Sequence, residues 1–145
     1  MQKVLIKIKM TDPNIEKMKF NPENSGSDIR STVATIIKPG QRKLIDCGFK
    51  MEIPIGYEAQ IRPRSGLAVK HGVTVLNSPG TLDAGYRGPV KTLLINHGDK
   101  DFYINPGDRI AQLVIAKIEH PTFIFEEELS ETERGEDGFG STGVK

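Results

Sequence analysis

The sequence predicts an all-β fold, a jelly-roll-like β-barrel ending in a mobile C-terminal arm, and three observations carry that expectation. Short segments rich in branched residues recur along the chain, Pro and Gly turns separate them, and almost no stretch has room for a helix.

VLIKIK (4–9) alternates late and opens the series, and the segment from Asp12 to Phe20 fits neither period. TVATII (32–37) reads as a buried run, which KPG (38–40) turns into KLIDCGFKMEI (43–53). After PIG (54–56), YEAQIR (57–62) alternates well. GLAVKH (66–71) alone could supply a turn or two of helix. VTVLN (73–77), VKTLLIN (90–96), DFYI (101–104), RIAQLVIAKIE (109–119) and TFIFEEE (122–128) complete about nine strands, separated by SPG (78–80), HGD (97–99) and NPGD (105–108) among others. The expected organisation is one domain over 1–125 and a flexible arm over 126–145, where seven acidic residues between Glu126 and Asp137 and then four glycines within 134–143 cannot build a core.

A chain of 145 residues is the size of one ordinary domain. Twenty basic residues against 19 acidic ones give no strong overall field, so nucleic acid is not expected as a partner and any anion must be held locally. Cys47, the only cysteine, excludes an internal disulfide framework and a multi-thiolate zinc site, and a reducing cytoplasm is the expected location. Lysines interrupt the apolar residues of MQKVLIKIKM, so neither a signal peptide nor a membrane span is expected. His71, His97 and His120 lack metal-binding spacing.

Four segments carry chemistry. RPRSGLA (62–68) sets two arginines, a hydroxyl and a glycine at a strand exit; it suits a phosphate cradle, or equally an exposed loop with a surface arginine. NSPGTLDAGYRGPV (77–90) is expected as a β-hairpin whose edge faces a flat base, with Asp83 orienting a water or capping a turn and Tyr86 offering a ring to a sugar. In INPGDRIAQLVI (104–115), Asp108 and Arg109 are expected to pair or cap locally, while Gln112 lies in an apolar run where its amide needs a partner, structural or ligand. RGEDGFGSTG (134–143) has glycine spacing reminiscent of a Walker A loop, but no lysine follows Gly140 and no helix can follow; what remains is an arginine, an aromatic ring and two hydroxyls on a pliant backbone.

Taken in order, SGSD (25–28), PRSGLA (63–68), GTLDAGYRG (80–88), GDRIAQL (107–113) and RGEDGFGSTG (134–143) resemble the five motifs of the deoxyuridine triphosphatase (dUTPase) family, from about Ser25 to Gly143. The resemblance implies a homotrimer of jelly-roll subunits with shared active sites, each closed by a C-terminal arm. It implies hydrolysis of dUTP to dUMP and pyrophosphate, which limits uracil incorporation into DNA and supplies dUMP for dTMP synthesis, with Mg2+ bound mainly by the triphosphate. Carried over by match, Asp83 activates the water with Ser65 as its catalytic companion, and Tyr86 packs on the deoxyribose. Asn77, Leu82 and their neighbours read the uracil; Arg64, Ser65, Gly66 and Gln112 hold the phosphates; Asp28 acts on the magnesium through water. Arg134, Gly140, Ser141 and Thr142 engage the terminal phosphate while Phe139 stacks on the base. The chain departs from the family pattern at Ser27, where an aromatic or aliphatic residue is usual, and at Gly85, where many members are acidic. A dCTP deaminase of related fold is the nearest competing reading, and the third and fifth motifs favour the triphosphatase.

Overall fold

The computed structural model describes residues 3–145, so residues 1 and 2 of the expected 1–125 domain lie outside it. Ten strands and one helix follow in the order β1 (Lys7–Met10), β2 (Ser27–Arg30), β3 (Thr35–Ile37), β4 (Arg42–Glu52), β5 (Tyr57–Arg62), α1 (Ser65–His71), β6 (Val73–Val75), β7 (Gly80–Leu82), β8 (Pro89–Asn96), β9 (Phe102–Ile104) and β10 (Arg109–Lys117). Every strand pairing is antiparallel. Two four-stranded sheets, β1-β4-β8-β6 and β2-β10-β5-β7, and a small separate β3-β9 ribbon give the expected all-β, jelly-roll-like fold. Among the described residues no helix is long and apolar enough to cross a membrane.

Alternation builds the core. Along β8 the side chains of Val90, Thr92, Leu94 and Asn96 are buried, and along β5 Ala59 and Ile61 are, so each strand turns one face into the space between the sheets. Ile29, Ile45, Phe49, Leu94 and Ile110 belong to the same apolar cluster. Its polar members are satisfied: Asn96 Nδ2 donates to the carbonyls of Ile37 and Lys100, each at 2.8 Å, and its Oδ1 accepts from Gly98 N at 2.8 Å. Asn96 thereby fastens the β3-β9 ribbon to the end of β8.

The helix at 65–71 stops at Gly72, whose φ of 67° is the left-handed conformation that ends helices, and the Gly72 N–H bonds back to Ala68 O. Asp12 to Phe20 forms no helix. A turn in which Asn14 N bonds Asp12 Oδ1 lets Ile15 reach the core.

Three expectations are corrected. The segment 122–128 is not a strand: Phe123, Ile124 and Phe125 are 76%, 77% and 96% exposed, and the segment pairs with no strand among the described residues. The segment 77–90 is not a hairpin, since β7 pairs with β5 while β6 and β8 pair in the other sheet. The strand β2 overlaps the SGSD motif (25–28), for which no strand is expected; with Ile29 as its single buried apolar residue it carries no visible period.

Candidate active site

The second sheet brings the distant motifs into register. Gln112 of β10 stands opposite Asp28 of β2 on one side and Arg62 of β5 on the other, so one row crosses three strands and joins the first and fourth motifs to the residue just before the second. Neighbouring residues in that row face the same side of the sheet. Gln112 Nε2 donates to Pro63 O at 3.1 Å, which answers the question its sequence raised: the amide fixes the exit of β5 into the arginine loop. From there Arg64 turns back. Its Nη1 donates to Arg109 O at 3.0 Å and its Nε lies 3.4 Å from Asp28 Oδ1.

Arg109 departs from expectation. Asp108 caps its own turn, accepting from Asn105 N at 2.8 Å, but Arg109 does not pair with it; Arg109 Nε lies 3.8 Å from Asp28 Oδ2. The register slips between Arg109 and Ala111, and such bulges re-aim side chains. Sequence reasoning missed this contact because it depends on which strand pairs with β10. One carboxylate thus faces two guanidinium groups, and these groups are solvent-accessible and open to a larger anion.

At the entry to α1, Arg64 is the N-cap and makes no side-chain cap. Ser65 and Gly66 are exposed, and open space surrounds the position a Cβ on Gly66 would take. The first N–H groups of a helix lack intrahelical partners, so this exit offers donors beside two arginines.

Asp83 and Tyr86 form a separate corner. The turn is closed by Tyr86 N donating to Asp83 O at 3.1 Å, so the Asp83 side chain itself caps nothing; among the described residues its carboxylate has no hydrogen bond or ion pair. Leu82 is half-buried on β7, an edge strand whose far side pairs with no other strand among the described residues, so an unpaired backbone edge exists although the hairpin does not. Asn77 is exposed in the turn that leads to β7, beside Gly80.

The two corners lie apart within one chain. Leu82, the residue before Asp83, stands opposite Ala59, three positions down β5 from Arg62. At about 3.3 Å per residue, its backbone is about 10 Å along the sheet from the Asp28–Gln112–Arg62 row. Arg64 and Ser65 leave that row in the opposite direction.

The arm is separate again. Arg134, Phe139, Gly140, Ser141 and Thr142 are all exposed, and the hydrogen bonds of 122–145 run only within the arm, as when Arg134 Nε donates to Asp137 O at 2.7 Å. A resident metal cage is not what these residues offer. Among the described residues no cluster of three or more His, Cys, Asp or Glu side chains exists, and Asp28 is the one carboxylate at the arginine row. A hard cation keeping several waters and held chiefly by phosphate oxygens fits that donor set; an all-protein site does not.

A family model described as dUTPase matches residues 15–143. The chain belongs to the dUTPase family. It is 60% identical over 121 residues to the deoxyuridine 5'-triphosphate nucleotidohydrolase of Nautilia profundicola, covering 83% of this chain and 85% of that one. The protein of the same name from Fusobacterium nucleatum is 46% identical over 146 residues, covering 99% of each. Among solved structures, the dUTPase of Staphylococcus bacteriophage 80alpha with dUPNHPP superposes with a TM-score of 0.87 at 29% identity, over 97% of this chain and 99% of that one. Membership of the family makes the chain a dUTP diphosphatase.

Proposed function

We propose that this chain hydrolyses dUTP to dUMP and pyrophosphate by direct attack of water on the α-phosphorus, limiting uracil in DNA and supplying dUMP for dTMP synthesis. The observation that carries the reading is the row in which Asp28, Gln112 and the Arg64 loop converge from three strands. Arg64, Ser65, Gly66 and Gln112 hold the phosphate chain, and Asp28 would help hold a magnesium ion carried by the substrate. That ion would supply charge neutralisation on the phosphates. The free carboxylate of Asp83 orients the attacking water and takes its proton, with the Ser65 hydroxyl assisting at the phosphates. Tyr86, in the same turn, lays its ring on the deoxyribose, while Asn77 and the edge of β7 at Leu82 read the uracil. The reaction needs no covalent intermediate, because placing the water in line and neutralising the developing charge lower the barrier directly.

The reading requires more than one chain per site. Asp83 and the Arg64 loop lie too far apart in one subunit to act on one phosphorus, so Asp83 of one copy serves the arginine row of another, and the arm reaches over both as a lid. A homotrimer satisfies this. The exposed Phe123-Ile124-Phe125 run with Glu126–Glu128 matches the chemistry of a groove of about 690 Å³ lined by Leu5, Ile8, Phe20 and Ile115 with Lys19 and Lys117 at its rim. A second copy covers both surfaces. The body to about residue 125 is the catalytic domain and 126–145 its arm. The free, buried Cys47 suits a reducing cytoplasm.

Product analysis with dUTP, dTTP, dCTP and UTP tests base, methyl, sugar and reaction class together. Selective release of pyrophosphate from dUTP is expected. Ammonia from dCTP would replace this reading with a deaminase, and a monomer in sedimentation that still turned over dUTP would refute the shared site.

A further inference from the structure

The turn after Asp83 is built around one ring. Tyr86 is 43% exposed, yet its hydroxyl donates to Pro89 O at 2.8 Å, so the ring lies back across the intervening backbone. Gly88 lies beneath it. A Cβ there would overlap the Tyr86 hydroxyl oxygen and stand 2.6 Å from Cζ and 2.8 Å from Cε1. Gly88 is not among the glycines with positive φ, so its backbone would accept any residue and the constraint is the ring alone. The turn is stiffened from the far side, where Arg87 Nη1 donates to Ala84 O at 2.6 Å and Arg87 Nε lies 3.6 Å from Glu52 Oε1.

We propose that Gly88 is a positioning residue for sugar selection: by having no side chain it lets Tyr86 lie flat and sets the height at which the ring meets the deoxyribose. This rests on the reading of Tyr86 as the sugar-facing residue. A methyl at 88 leaves the fold alone, because the atoms it meets are the far end of an exposed side chain that is free to swing away. The same swing breaks the hydroxyl's bond to Pro89 O and lifts the ring out of register with Asp83, three residues back in the same turn. Displacements of this size cost large factors in rate and in discrimination.

The test compares pyrophosphate release from dUTP and UTP by the wild type, Gly88→Ala, Tyr86→Leu and the double variant, with thermal melting alongside. Gly88→Ala is expected to melt like the wild type and to narrow the preference for dUTP over UTP by about tenfold or more. In the Tyr86→Leu background the same alanine is expected to change that preference by less than about twofold, since no ring remains to be displaced. An unchanged preference in Gly88→Ala, or an equal loss in both backgrounds, overturns the proposal. Wild-type protein that released no pyrophosphate from dUTP would overturn the functional reading instead. A crystal structure of Gly88→Ala separates the two failures: a Tyr86 hydroxyl still on Pro89 O refutes the positioning role whatever the substrate.

Discussion

Removing the chain from Arg134 onward is the perturbation that most sharply divides fold from function. The residues of 134–143 are exposed and bond only within the arm, so no buried apolar contact disappears with them. Changes of that kind lie within about 0.5 kcal/mol, and the truncated protein is expected to keep its melting temperature and its sedimentation coefficient. Activity should respond very differently. A charge-assisted hydrogen bond from Arg134 to phosphate contributes about 1.5–3 kcal/mol, and stacking of Phe139 on a base about 1–3 kcal/mol. Together these amount to about 10²–10⁴-fold in kcat/KM. The lid must first release Arg134 from Asp137 O, a modest cost because that bond is fully exposed to water. Steady-state release of pyrophosphate from dUTP, measured beside calorimetry on the same samples, reads both quantities. A truncated protein that turned over dUTP at the full rate would show that the segment is only a tail.

Three further outcomes follow from the geometry. Asp83→Asn keeps the turn, which is closed by the backbone, and should lower kcat by about a thousandfold with little change in KM; near-normal turnover would remove Asp83 from the mechanism. Asn96→Ala leaves the carbonyls of Ile37 and Lys100 and the N–H of Gly98 without their partner, a loss of about 2–4 kcal/mol in urea denaturation; a loss below 1 kcal/mol would mean that water replaces the amide. Burial pushes the Cys47 thiol up to about 11, so it stays protonated in the fold where an unfolded thiol has ionised. Its contribution to stability is full below about pH 9 and lost between about pH 9 and 11, by about 2–3 kcal/mol relative to Cys47→Ala; parallel stability profiles for the two proteins would refute it. The native thiol should also resist alkylation at pH 8.

Sequence alone determined the class of fold and the family, and it named the candidate site residues. Strand alternation and turn chemistry are local properties, so β5 was legible from Ala59 and Ile61 facing one way while their neighbours face the other, and β4, β8 and β10 were legible as branched, apolar runs between turn signals. The motif order from Asp28 to Thr142 was legible through resemblance to the dUTPase family. What the sequence could not hold is pairing. That β10 lies between β2 and β5 is a long-range fact, and it alone puts Gln112 beside Pro63 and turns Arg109 toward Asp28 rather than toward Asp108. The apolar run at 123–125 misled the strand reading because branched and aromatic residues promise burial without naming the surface that provides it. Tertiary structure also decided that Leu82, next to Asp83, stands about 10 Å along the sheet from the arginine row, a separation fixed by the register of β7 on β5 and the rise of a strand.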